Sequence, residues 1–249
     1  MQGLQKKMAY FKQHSPFIGG CYAYCLKKVD TPKKFDYIKI KMKNLVIGLS
    51  GVAGSGKDTF YSLLKQELSK SGYDVLRFSL ADFLKDDVNE WTKKAYGIDA
   101  LSCSREEKDL IRSFLVFHGT LRRRQTEGQY WIQKLQEKIN AQNFSNNSIL
   151  VITDIRYDDY EHDEVFWLQE TLKGVLVHIS MRTESGILPP INEEEERNNQ
   201  KLINKSNYKL EWEEVDGSQE YILENLISYI KEFESWLFDG NRLPTCDQR

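Results

Sequence analysis

The stretch from Gly48 to Thr59 constrains the fold more than any other part of the chain. Its Gly51-x-x-x-x-Gly56-Lys57 spacing is that of a P-loop. Gly51, Gly54, Ser55 and Gly56 are small enough for successive backbone N–H groups to turn inward around phosphates, while Lys57 reaches the terminal ones. At the next position, where a Ser or Thr hydroxyl normally touches Mg²⁺, the chain has Asp58, and the first hydroxyl comes at Thr59. Before the loop, Leu45 to Leu49 reads as a buried strand; after it, Phe60, Leu63, Leu64 and Leu68 share one helical face. Strand, glycine loop and helix in this order place anions at a helix N-terminus. They predict an α/β chain with the P-loop NTPase three-layer fold, a parallel sheet and a helical substrate and lid region.

Length and charge narrow the partners. With 249 residues, 40% of them hydrophobic, the chain can bury one full core with a smaller appendage. No apolar run approaches the roughly 20 residues that cross a bilayer, and the N-terminus lacks a signal-peptide core, so a cytoplasmic protein without membrane contact is expected. Residues 1–41 carry nine lysines and two aspartates, a net of +7, which leaves −9 for the rest of a chain whose formal total is −2. An acidic main domain is a poor match for a nucleic-acid backbone. Small-molecule nucleotides, held by a few placed cations, are the expected partners, with a homodimer left open. Cys21, Cys25, Cys103 and Cys246 are too scattered for a disulfide framework, and neither a second cysteine pair nor a histidine completes a metal site with Cys21 and Cys25. His14, His118, His162 and His178 form no ligand-spaced group either.

Residues 1–41 lack a convincing period and read as a poorly ordered or dispensable basic extension, the alternative being an arm that recruits a partner. The main P-loop domain is expected over 42–238, with Met42 a candidate true start, and a loose tail over 239–249. Val75 to Phe78 reads as the second strand. Asp82 and Lys85 follow its C-terminal end, where open α/β sheets bind ligands; an N-cap aspartate and a solvated lysine are the plainer alternative. Ser104-x-x-Glu107 is a capping box opening a helix with Leu110, Ile111, Phe114, Leu115 and Phe117. Arg122, Arg123 and Arg124 follow, splayed by about 100° each, so one or two at most can grip an anion. Ile149 to Asp154 is an apolar strand ending in an acid, a Walker-B-like arrangement able to hold Mg²⁺ or its waters, with Arg156 just beyond. An acidic loop runs from Asp158 to Asp163, then a helix to Gly174, a strand over Val175 to Ile179, and Arg182. Residues 183–205, with Pro189-Pro190 and the Glu193 to Arg197 run, read as a solvated polar helix or a lid. Tyr208 to Trp212 reads as an edge strand, and Gln219 to Leu237 as a last helix striped with Leu223, Leu226, Ile227, Ile230 and Phe233.

With these residues in view, the chain resembles the deoxynucleoside monophosphate kinases of bacteriophages and related P-loop kinases from about Leu45 to Trp212. The resemblance rests on Gly54-Ser55-Gly56-Lys57-Asp58-Thr59, whose aspartate is usual in that group, and on Leu80-Ala81-Asp82-Phe83-Leu84-Lys85. It also rests on Gly119-Thr120-x-Arg122-x-Arg124 with Tyr130-Trp131, and on Thr153-Asp154-Ile155-Arg156-Tyr157. After Tyr157 that family tends to have Asn-Glu, where Asp158-Asp159-Tyr160-Glu161 stands here. The resemblance implies ATP as phosphoryl donor with Mg²⁺, and a (deoxy)nucleoside monophosphate as acceptor. In that reading Gly51 to Thr59 bind ATP, with Lys57 on the β/γ-phosphates, and Asp58 and Asp154 serve Mg²⁺. Lys85, Arg124 and Arg156 face the acceptor and transferred phosphates, Lys57, Arg124 and Arg156 acting catalytically. Asp82 faces the acceptor nucleoside, and Arg182 and Arg197 are lid candidates. Competing readings are a P-loop kinase for another phosphorylated metabolite, such as phosphomevalonate, and a slow nucleotide-binding regulatory module.

Overall fold

The structure is a computed structural model describing residues 44–239, apart from the side chains of residues 219, 220, 223 and 239. The expectations for residues 1–41, Met42, Cys21, Cys25, Cys246, His14, Leu223 and the tail past 239 lie outside what is described.

Strand β1 (Leu45–Ser50) is buried along its whole length, as a run without polar alternation must be when both faces are covered. It pairs in parallel with β3 (Ser148–Ile152) on one side and with β4 (Val175–Thr183) on the other. Strand β2 (Asp74–Phe78) lies parallel to β3. Strand β6 (Tyr208–Glu213) lies parallel to β4, and the two-residue β5 (Gly186–Ile187) turns back antiparallel on the end of β4. The order β2-β3-β1-β4 puts the P-loop strand inside the sheet. Helix α1 (Lys57–Lys70) and the last helix α7 (Gln219–Asp239) cover one face through Leu64, Leu68, Ile230 and Phe233. The other face is covered by α2 (Leu80–Tyr96), α4 (Gln129–Asn140) and α6 (Glu193–Lys205), through Leu80, Leu135, Ile139 and Leu202. Helices on both faces of a mostly parallel sheet, with the glycine loop at the end of β1, give the three-layer P-loop NTPase architecture that the sequence predicts.

A satellite cluster of Val88, Ile98, Ala100, Ile111 and Leu115 fastens α3 (Arg105–Gln125) to α2. The capping box opening α3 forms as expected, Ser104 Oγ accepting from Glu107 N and Glu107 accepting from Ser104 N. Two segments differ from the sequence reading. The helix expected up to Gly174 is a short α5 (Glu164–Phe166) running into a π-helical turn over Trp167–Thr171, which keeps Trp167 and Leu168 buried. Strand β4 runs on to Thr183 rather than stopping at Ile179, because β6 and β5 pair with its extension. No described helix is long and apolar enough to cross a membrane.

Candidate active site

The glycine loop is shaped by what leans on it. Gly51 has φ 138° and Gly56 φ 85°, both in the region that favours glycine. A Cβ on Gly51 would lie 2.2 Å from the Ile179 carbonyl oxygen, and one on Gly56 would lie 2.5 Å from the Trp212 ring. The indole N–H of Trp212 also donates to the Ser55 carbonyl at 3.0 Å. Strand β6 thereby braces the loop from below, a role that reading Tyr208 to Trp212 as an edge strand does not reveal. Helix α1 starts at Lys57 with no side chain capping its first turn, which leaves its N–H groups to a bound anion.

Lys57 is folded back over the loop. Its Nζ donates to the carbonyls of Gly51 (2.8 Å) and Val52 (2.7 Å) and to Ser55 Oγ (3.4 Å). Burial, reinforced by the Arg156 charge, lowers its pKa to about 8. Behind it, buried His178 shares a 3.1 Å hydrogen bond with Ser50 Oγ, and burial lowers its pKa to about 4, so the ring is neutral. Thr59 is half-buried on the first turn of α1 and Asp58 is exposed there.

Helix α6 faces the loop. Glu195 Oε1 accepts from the Ala53 backbone N–H at 3.0 Å, and Oε2 from Ile191 N–H at 2.7 Å. A carboxylate thus takes a loop donor of the kind that cradles phosphate. The C-terminal part of α6 is tied down by Lys201 to Asp159 (2.7 Å) and Lys205 to Asp158 (2.6 Å). The acidic loop is therefore an anchor for α6, and the glutamate run that reads as solvated contains one residue, Glu195, that is not. Between loop and helix lies a cleft of about 170 Å³, lined among others by Gly51, Ala53, Arg112, Arg156, Asn198 and Asn199. Typical small-molecule sites have about 300–1,000 Å³, so this cleft by itself is smaller than those. Asn198 is only 4% exposed, and its side-chain oxygen and that of Asn199 have no hydrogen-bond partner among the described residues.

The charged lining of the cleft is mixed, with Arg112 and Arg156 beside Glu194 and Glu195. Besides burial, the charges of Lys85, Arg112 and Arg156 lower the pKa of Lys108, so these four side chains share one neighbourhood. Arg156 is felt by Lys57 as well. Arg156 is thus brought to the loop, whereas Lys85 is near Lys108 and does not line the cleft. Lys108 and Arg112 were missed, although their i, i+4 spacing on α3 puts both on one helical side. Arg156 is set in place by an ionic network beneath it. Glu164 Oε2 accepts from the backbone N–H groups of Arg156 (2.7 Å) and Tyr157 (3.1 Å), and its Oε1 accepts from Arg123 (3.0 Å).

Asp154 stays close enough for its charge to act on Lys57, whereas Asp82, Arg124 and Arg182 do not line the cleft. Asp154 points its carboxylate at the start of α2, accepting from Ser79 Oγ (2.8 Å), Leu80 N (2.9 Å) and Ala81 N (2.7 Å). Asp82 pairs with Arg77 at 3.0 Å on the surface and does not line the cleft. Arg124 is exposed at the far end of α3, twelve residues or about 18 Å along the helix from Arg112. Arg124 therefore does not line the cleft, whereas Arg112 does. Arg182 lies on β4 and pairs with Glu211 and Glu213 of β6, so it belongs to the sheet surface rather than a lid. Arg197 is exposed on α6.

Mg²⁺ fits this set as a cation carried by nucleotide. Among the described residues no group of three His, Cys, Asp or Glu side chains could hold a metal alone, and Mg²⁺ in phosphoryl-transfer sites needs only one or two carboxylates besides phosphates and waters. A carboxylate offers about four acceptor positions. Asp154 uses three, which leaves room for one metal-bound water.

No protein-family model matches the chain, and no curated protein matches it. Among solved structures it is similar to a shikimate kinase from Acinetobacter baumannii in complex with shikimate, at 11% identity over 80% of this chain and 95% of that one, with a TM-score of 0.36. It is also similar to a gluconokinase from Sinorhizobium meliloti, at 11% identity over 79% and 97%, with a TM-score of 0.32. Scores of this size carry no weight for the reaction of this chain.

Proposed function

We propose that the protein transfers the γ-phosphoryl group of MgATP to a small anionic acceptor, a (deoxy)nucleoside monophosphate. The observation that carries this reading is the placement of Arg156 beside the P-loop lysine, with Arg112 on the same cleft and Lys108 within reach of both charges and of Lys85. A loop that only held ATP would not call for further cations outside it. Two polyanions brought together do, since their repulsion is the main obstacle to the reaction. The acceptor oxygen of a monophosphate is already anionic, so no general base is required, and His178, buried and neutral, is not one.

In this reading the donor phosphates take the loop N–H groups, including the Ala53 donor that Glu195 holds, and draw Lys57 Nζ off the Gly51 and Val52 carbonyls. Mg²⁺, which Asp154 and Asp58 would hold through its waters, would supply charge neutralisation for the phosphates. Arg156, held through Glu164 and Arg123, meets the transferred group; Arg112 and Lys85 grip the acceptor phosphate. The unpartnered oxygens of Asn198 and Asn199 suit donors of the acceptor's sugar or base. Helix α6, with the 183–205 segment, acts as the lid. The decisive experiment incubates the purified protein with MgATP and each dNMP, each NMP and phosphomevalonate, beside a Lys57→Ala control. Phosphorylation of one or more nucleoside monophosphates is expected; no acceptor phosphorylated above the control overturns the assignment.

A further inference from the structure

The outward side of α3 carries apolar groups that none of the described residues covers. Leu110 is 78% exposed and Phe117 65%, and Leu121 is exposed in line with them. Glu106, Leu110, Ser113, Phe117, Leu121 and Arg124 recur at steps of three and four residues, which places them on one side of the helix. The buried side, with Ile111, Leu115, Gly119 and Arg123, is opposite. The apolar surface continues onto α2, where the exposed Trp91 ring lies 4.5 Å from Phe114 and 5.2 Å from Tyr96. An exposed surface of this kind on a folded chain marks an interaction site.

We propose that a second copy of this chain docks here, α3 lying antiparallel against the partner's α3 about a two-fold axis near Leu115. The helix is self-complementary under that reversal. Glu106 then meets the partner's Arg124, Leu110 meets the partner's Leu121, and the bulky Phe117 meets the partner's Ser113, a large side chain opposite a small one. A two-fold contact of this sort requires one patch to match itself. Charge selects the occupant further. On this side the helix begins with Glu106 and ends with Arg124, while Arg123 is buried on the opposite side and Arg122 lies over the Tyr130 ring. A parallel copy would set Glu106 against Glu106 and Arg124 against Arg124; an antiparallel copy pairs the two signs.

The test is the mass of the full-length protein in solution, by sedimentation equilibrium over a range of concentrations. A dimer is expected. Phe117→Glu should weaken it about 30-fold or more, the loss given by an aromatic anchor at the centre of an interface, and Leu110→Glu should weaken it too. Glu106→Arg alone and Arg124→Glu alone should each weaken it, and the two together in one chain should restore it, because only an antiparallel pairing sets these positions against each other. Circular dichroism checks that each variant is folded. A wild-type monomer at all concentrations, a dimer indifferent to Phe117→Glu and Leu110→Glu, or a double charge reversal as weak as the single ones overturns the proposal.

Discussion

Lys57 is the residue whose chemistry is most exposed to measurement. Its lowered pKa of about 8 means the folded protein favours the uncharged amine relative to the unfolded chain. That cost to stability is full below pH 8 and disappears as pH rises to 10.5. Lys57→Met should therefore stabilise the fold at pH 7, by about 2 kcal/mol in urea unfolding, while abolishing turnover. Bound phosphates favour the ammonium, so ATP binding should take up a proton near pH 8. Its affinity should then fall about tenfold between pH 7 and pH 9, as read by calorimetry in buffers of different ionisation heat; a flat affinity across that range would contradict the geometry. Glu195 makes an opposite prediction. Because its carboxylate holds the Ala53 N–H, Glu195→Ala should tighten MgATP binding, by about tenfold if one charge-assisted hydrogen bond is what ATP must displace.

At the scale of elements, α3 shows what the sequence could and could not tell. Its capping box, its start and its apolar spacing were legible, since they depend on neighbours along the chain. The fates of Arg122, Arg123 and Arg124 were not, because each is decided by a different distant group. The Arg122 guanidinium lies 4.7 Å from the centre of the Tyr130 ring, Arg123 is buried against Asp163 (2.7 Å) and Glu164, and Arg124 faces outward. The sequence reading gave an anion to one or two of this cluster and chose Arg124, while its one buried member, Arg123, holds two carboxylates of the chain itself. Removing one side of a buried ionic network strands the other, so Arg123→Leu should cost about 3–5 kcal/mol in chemical unfolding. Since Glu164 also fixes the Arg156 backbone, a folded Arg123→Lys protein should lose turnover more than ATP binding. Asp154 teaches the same lesson: an apolar strand ending in an acid was readable, its three bonds to the start of α2 were not.

For the whole molecule, the layer order followed from the alternation of apolar runs and helical stripes, and the P-loop gave the position of the site. What was hidden is what crosses the sheet, such as the contact between Trp212 and Ser55, separated by 157 positions. His178 sets the acid limit of the fold. With its pKa near 4 in the folded chain and near 6.5 when unfolded, its contribution is intact above pH 6.5 and is lost as pH falls toward 4. About 2 kcal/mol should go between pH 7 and pH 5, a loss that urea titrations should find absent in His178→Gln. The Trp212 brace bears on how the chain matures. The loop at residues 51–57 leaves the ribosome before its supports, Ile179 and then Trp212. A nascent chain lacking β6 carries the phosphate-binding sequence without its shape, so nucleotide can reward only a chain made beyond Trp212.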